Sequence, residues 1–344
     1  MHVRPSRWRL AGIGAVAVLL LLAALLSLRS GPTPPVTAAG ASLVSGRAVS
    51  NAARAPWYGM RVLIDPMRFT EPLFPAPVQP RVNAEAGVLV DLDSRTVVWE
   101  RNAHDSLPPA STIKLLTAMV VLENFSPDTV ITVTHDALGQ AGDETKMYLK
   151  AGDRLTVADL LTGLLTVSAN DAAETLAVDT VGTERFVAAM NAQAAALGLH
   201  ETHATSPVGL DDPLMRSSAY DLAVLAAIDV TQWPLVRHIV STRYTVLSAT
   251  ATHGAYYLSN LNLLLGIYPA ATGIKTGYTG NAGNCLVAMA SRNGHHLISV
   301  LLNAPSYIYS QSRALLDWGF VHEGLPTQLP TPSPSHSPSP SPHH

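Results

Sequence analysis

Pro108-Pro109-Ala110-Ser111-Thr112-Ile113-Lys114-Leu115-Leu116-Thr117-Ala118-Met119 is the stretch on which the reading of this chain turns. The two prolines end an extended segment, and the apolar run behind them reads as a helix. Ser111 falls at or near the helix N-terminus, where free N–H groups and the helix dipole favour an oxyanion. Lys114 follows one turn later, so its amine can lean back over the Ser111 hydroxyl. A serine that must lose a proton beside an amine that can take it is a nucleophile–base pair. The same spacing also suits an N-cap serine with a solvated lysine, so the stretch needs support from elsewhere in the chain.

Composition supplies some of that support. Of the 22 basic residues, 18 are arginine and four are lysine: Lys114, Lys146, Lys150 and Lys275. Arginine does not deprotonate in a protein, whereas lysine can be driven neutral and serve as a base. Net charge of −3 and the lack of a basic stripe argue against nucleic acid as a partner. The single cysteine, Cys285, excludes an internal disulfide and reads as a small buried core residue. The 13 histidines are scattered without a ligand spacing, so neither a metal nor another cofactor is expected.

Along the chain, residues 10–28 carry no charge and would span about 28 Å as a helix. Arg4, Arg7 and Arg9 precede them, which puts residues 1–9 in the cytoplasm and makes 10–28 a single-pass transmembrane anchor. A cleaved signal peptide is the alternative, with Ala39-Gly40-Ala41 as a small-residue site. Either way the remainder is extracytoplasmic. Residues 29–81 read as a Pro-rich linker, 82–323 as one folded domain, and 324–344, with seven prolines, as a disordered tail.

Within 82–323, Gly87–Leu92 and Thr96–Glu100 read as a hairpin leading to the Ser111 helix. Thr156 caps a helix to about Thr166, and further helices are expected at 172–178, 184–197 and 219–228. Strands are expected at 273–276, 284–290 and 297–303, then a closing helix at 310–318 stopped by Gly319. Strands, a helical block, strands and a last helix imply an α+β fold with an antiparallel sheet.

Three short pieces recur in a recognisable order: Ser111-x-x-Lys114, Ser168-Ala169-Asn170 and Lys275-Thr276-Gly277. With Asn83–Asp91, Ser168–Ala173, Gly209–Asp212 and Thr272–Thr279, they make residues 80–322 resemble the serine-type D-alanyl-D-alanine carboxypeptidases. These are the low-molecular-mass penicillin-binding proteins of peptidase family S11. The resemblance implies a β-lactamase/transpeptidase-like fold, its antiparallel sheet flanked by helices, with a mostly helical subdomain. It also makes 82–323 the catalytic domain, which would remove the terminal D-alanine from peptidoglycan stem peptides and be inhibited by β-lactam antibiotics.

On that resemblance Ser111 attacks the penultimate D-alanine carbonyl and Lys114 accepts its proton, a nearby Lys275 lowering the Lys114 pKa. Ser168 relays the proton to the leaving amine, and Asn170 fixes Lys114 and holds a substrate carbonyl. Lys275 and Thr276 would meet the terminal carboxylate, and Gly277 would let the substrate backbone approach. The N–H groups of Ser111 and Tyr278 would form the oxyanion hole. Family members often carry an arginine after the last core strand that helps bind this carboxylate. Here that stretch is Ala304-Pro305-Ser306-Tyr307-Ile308-Tyr309-Ser310, and the nearest arginine, Arg313, is not assigned the role.

Three other readings remain open. A D,D-endopeptidase would use the same residues. A β-lactamase would add a glutamate for deacylation, and His203–Asp212 contains none. An anchored peptidoglycan-binding module with a dead site is the non-enzymatic alternative, which the intact Ser111, Lys114, Ser168, Asn170 and Lys275 argue against.

Overall fold

The segment Ala-Gly-Val-Leu-Val-Asp is buried at every position, as a central strand covered on both faces must be. In a computed structural model, which describes residues 66–70, 80–142 and 145–322, it forms strand β1 (Ala86–Asp91). β1 pairs antiparallel with β2 (Thr96–Arg101). Asp91 fastens the turn between them, its carboxylate accepting from Asp93 N–H and the Ser94 hydroxyl.

After a 3₁₀ turn at Ala110–Ile113, helix α1 (Lys114–Asn124) buries its first eight residues. β3 (Val130–Thr132), α2 (His135–Gln140) and β4 (Arg154–Thr156) make a small satellite, with β3 and β4 paired. α3 (Val157–Thr166) opens on a capping box in which Thr156 and Asp159 satisfy each other's backbone N–H. α4 (Asn170–Val178), α5 (Thr183–Ala196), α6 (Ala219–Gln232) and α7 (Pro234–Ser241) complete the helical block. β5 (Tyr244–Leu247) and β6 (Tyr256–Ser259) form a hairpin, followed by the short α8 (Leu264–Ile267). β7 (Ala271–Thr279), β8 (Gly283–Arg292), β9 (His295–Ala304) and α9 (Ile308–His322) close the domain.

The main sheet has the order β2-β1-β9-β8-β7, so β7 is an edge strand. Its two faces sort by the two-residue period of a strand. Val88, Val90, Val287, Met289, Ile298 and Val300 join the core that holds α1 and α6. Leu89, Leu286, Leu297 and Leu301 pack instead with Leu315, Leu316 and Phe320 of α9. A buried ion pair, Arg292 Nη2 to Asp317 Oδ1 at 2.6 Å, ties the end of β8 to α9. This is the expected α+β architecture, an antiparallel sheet between helical layers.

Four local readings need correction. Ser111 sits in a 3₁₀ turn, and the α-helix proper begins at Lys114. α9 runs through Gly319 rather than stopping there. A Cβ at Gly319 would lie 2.6 Å from Leu89 Cδ2 and 2.8 Å from Leu297 Cδ1, so this glycine lets helix meet sheet. α7, β5 and β6 are absent from the sequence reading, and each is eight residues or fewer. In the stretch read as linker, residues 66–70 dock on the domain: Met67 and Phe69 are buried, and Thr70 bridges Thr96.

Among the described residues no helix is long and apolar enough to cross a membrane. The expected cytoplasmic end 1–9, the anchor 10–28 and the tail 324–344 all lie outside the described residues.

Candidate active site

Ala110, with φ +48°, turns the chain so that Ser111 projects from the 3₁₀ turn into a cleft of about 1070 Å³. A non-glycine residue in the left-handed region is strained, and here the strain falls beside the candidate nucleophile. Ser168 repeats the pattern with φ +60°. Its Oγ is buried yet has no hydrogen-bond partner, and the residue lines the same cleft. An orphaned buried hydroxyl costs stability, which fits a group held ready for a ligand.

Lys114 is fully buried on the first turn of α1. Its Nζ lies 2.8 Å from each of three oxygens: Ser111 Oγ, Asn170 Oδ1 and the Val208 carbonyl. Two of these, Asn170 Oδ1 and Val208 O, can only accept. A neutral amine has two N–H bonds, and these two acceptors use both. Its lone pair is then left to point at the Ser111 hydroxyl. Val208 was not expected from sequence. Its loop is anchored by the Thr117 hydroxyl, which donates to Pro207 O at 2.8 Å, one turn beyond Lys114.

Asn170 starts α4, and its own N–H donates to Thr145 O. Asp171 beside it accepts from Met147 and Leu149 N–H, so this junction fastens the 145–149 loop to the cleft wall. Glu174, on the next turn of α4, is pushed up to about 7 by burial, with the Lys114 charge pulling it the other way.

Lys275, Thr276, Gly277 and Tyr278 lie in succession on β7. Lys275 is buried, its Nζ donating to Thr276 O, and burial pulls it down to about 7. It is thus the Lys275 ammonium that burial weakens. Thr276, Gly277 and Tyr278 line the cleft, with Tyr278 largely exposed. A Cβ on Gly277 would lie 3.0 Å from Ala110 Cβ and from Ser111 N. The sequence reading gave this glycine to substrate approach. The geometry adds the tight seating of β7 against the Ser111 turn.

A second part of the lining carries no residue expected from the sequence to act in the site. It comprises Leu261 and Leu263 after β6, with Ser306, Ile308 and Tyr309 at the start of α9. Nothing in those runs departs from ordinary loop composition. Arg313 is occupied elsewhere, 3.7 Å from Asp317 and over the Tyr268 ring. Cys285 is a buried free thiol, pushed up to about 12 by burial. Among the described residues no group of three His, Cys, Asp or Glu is placed to hold a metal.

The chain is similar to known proteins in sequence and in fold. Residues 75–306 match the family model for the D-alanyl-D-alanine carboxypeptidases. The D-alanyl-D-alanine carboxypeptidase DacB2 of Mycobacterium tuberculosis is 38% identical over 245 residues, which is 69% of this chain and 82% of the relative. DacD of Salmonella typhimurium is 36% identical over 256 residues, 71% of this chain and 64% of the relative. The chain thus spans less than two thirds of that longer protein. Among solved structures, a D-alanyl-D-alanine carboxypeptidase from Mycobacterium tuberculosis superposes with a TM-score of 0.66 at 35% identity, covering 73% of this chain and 96% of that one. The Streptomyces K15 DD-transpeptidase does so with a TM-score of 0.66 at 30% identity, covering 71% and 99%. With its sheet, cleft and ordered serine–lysine motifs, this chain belongs to the D-alanyl-D-alanine carboxypeptidase family.

Proposed function

We propose that the chain is a serine D,D-carboxypeptidase that removes the terminal D-alanine from peptidoglycan stem peptides. The observation that carries this is the Lys114 amine, held by Asn170 Oδ1 and Val208 O with Ser111 Oγ as its third neighbour. Ser111 Oγ attacks the penultimate D-alanine carbonyl while its proton passes to Lys114. The Ser111 and Tyr278 N–H groups stabilise the oxyanion. The tetrahedral intermediate then expels D-alanine, whose amine takes a proton by way of the orphaned Ser168 hydroxyl. Water attacks the ester, and Ser111 recovers its proton as the shortened peptide leaves.

The free edge of β7 suits an extended substrate, which can add to the sheet as a further strand. Its terminal carboxylate then falls beside Thr276, with Lys275 beneath. β-Lactams would acylate Ser111 by the same attack. The cleft contains no glutamate among its described lining residues, which favours a slowly hydrolysed penicillin adduct over β-lactamase turnover. The uncharged run 10–28 behind Arg4, Arg7 and Arg9 supports a membrane-anchored enzyme with its cleft outside the cytoplasm.

The test is D-alanine release from a peptide ending in D-Ala-D-Ala, by the full-length chain and by Ser111→Ala. Release by the first and none by the second supports the reading. Release that survives Ser111→Ala refutes it.

A further inference from the structure

A second cavity, of about 880 Å³, adjoins the catalytic cleft and shares Ser259, Asn260 and Leu263 with it. Its lining comes from the β5–β6 hairpin and from α8 with the residues leading into it. Arg243 is exposed there, its Nη2 3.2 Å from where a Cβ on Gly266 would stand, so the guanidinium lies over α8. No carboxylate among the described lining residues neutralises it. Asn262, only 2% exposed, lines the same cavity. Its Oδ1 accepts the Leu264 N–H at 3.1 Å, which fixes the remaining end of the amide as Nδ2. That Nδ2 is buried and has no hydrogen-bond partner, a costly state for a donor. Asn260 differs, because its Nδ2 is spent on Val240 O and Thr242 O and its Oδ1 on the Asn262 N–H. A fixed amide donor and an uncompensated guanidinium on one cavity complement an oxyanion.

The surroundings of the cavity narrow the choice of anion. Tyr244 pairs with Ser259 and Val246 with Tyr257, so these four share the outer face of the hairpin, while Tyr256 and Leu258 are buried on the other. Leu261, Leu263 and Ile267 continue the exposed surface past the hairpin. Half of the twelve exposed large apolar side chains among the described residues thus fall within 244–267, too many for scattered surface positions. Tyrosines, leucines and an isoleucine around a cationic pocket match the layer where lipid headgroups meet acyl chains. A free anion needs no such rim, whereas the phosphate of a phospholipid brings hydrocarbon to cover it.

We propose that the Arg243–Asn262 cavity binds the headgroup phosphate of an anionic phospholipid, with Leu261, Leu263 and Ile267 resting in the interfacial layer. The catalytic cleft, which shares this rim, is thereby held at a bilayer surface. The site lies outside the residues that carry the proposed peptidase chemistry, and it does not depend on the uncharged run 10–28.

The test uses the full-length chain in phosphate-free dodecyl maltoside micelles. It is examined alone, with dioleoylphosphatidylglycerol mixed into the micelles, and with millimolar inorganic phosphate. The readout is amide hydrogen exchange in residues 260–267, where Asn260 Oδ1 and Asn262 Oδ1 hold the Asn262 and Leu264 N–H groups. A local readout is required because the run 10–28 enters the micelle in every arm. Binding to the folded state slows exchange by a factor 1 + [L]/Kd, so lipid above its Kd should slow these amides by about threefold or more. Free phosphate should slow them by less. Arg243→Gln should abolish the slowing, whereas Arg185→Gln, at an exposed arginine of α5 outside the cavity, should keep it. Unchanged exchange in β8 and β9 shows that each variant is folded. No slowing by the lipid would overturn the proposal, and so would slowing that survives Arg243→Gln, since it assigns the effect to apolar contact alone. Loss in Arg185→Gln as well would assign it to net charge and overturn the site. Equal slowing by free phosphate and by lipid would overturn the phospholipid assignment in favour of a soluble anion.

Discussion

The two walls of the cleft are built on different terms. One wall, from the Ser111 turn through Asn170 to β7, is largely buried and hydrogen-bonded, with the Ser168 hydroxyl the exception that lacks a partner. Lys114 meets three oxygens at 2.8 Å, and Gly277 brings β7 against the Ser111 backbone. The other wall, Leu261, Leu263, Ile308 and Tyr309, is apolar and partly exposed, apart from the buried Ile308. On the first wall a displacement of a few tenths of an ångström moves a proton acceptor. On the second it only shifts a contact area. The comparison teaches that chemistry is concentrated on the rigid wall and tolerance on the other.

Lys114→Arg should break the rigid wall most severely. The charge remains, but arginine cannot act as a base, so acylation by penicillin should slow by about a thousandfold. Stopped-flow acylation measures it, and near wild-type rates would remove Lys114 from the base role. Gly277→Ala should cost on the order of tenfold in kcat/KM, because its Cβ presses on Ala110 and Ser111 N. An unchanged rate would mean that the turn yields without consequence.

The rigid wall should also respond to pH. Lys275 is pulled down to about 7 by burial, whereas the substrate carboxylate favours its charged form. Binding above pH about 7 therefore takes up a proton, and KM for a D-Ala-D-Ala peptide should rise with pH from there. Proton uptake, read by calorimetry in buffers of different ionisation enthalpy, checks this, and a flat KM from pH 7 to 9 would contradict it. For folding, the depressed lysine means that the unfolded chain holds more protons between about 7 and its ordinary value of 10.5. This group therefore makes the fold more stable as pH rises through that window. Glu123 and Glu174 act in the opposite sense. Burial raises both to about 7, so the folded chain holds more protons from 4.5 up to there, and their contribution falls as pH rises.

The tolerant wall should show the smallest effect. Leu263→Ser, at a side chain already 58% exposed, should change kcat/KM by less than about threefold. A loss comparable with that of Gly277→Ala would erase the distinction between the walls.

The same contrast explains what was legible in the sequence. Ser111, Lys114, Ser168, Asn170 and Lys275–Tyr278 carry functional groups at fixed spacings, so their order alone pointed to one cleft. The sheet strands showed as apolar runs set off by turn residues, and Thr156 with Asp159 announced α3. The Val208 carbonyl was invisible because every residue has one, and only the folded loop aims it at Lys114. Gly319 misled because a glycine that ends a helix and one that admits a neighbouring sheet look alike in sequence. The apolar wall contributes ordinary leucines and a tyrosine, which acquire a role only when α9 and the β6–β7 connection converge.

The most direct test of the account is intact mass over time for the full-length chain mixed with benzylpenicillin, with the adduct mapped by peptide digestion. The account predicts a persistent adduct of one penicilloyl group on Ser111, absent from Ser111→Ala. No adduct in a folded chain, or one on another residue, would contradict it.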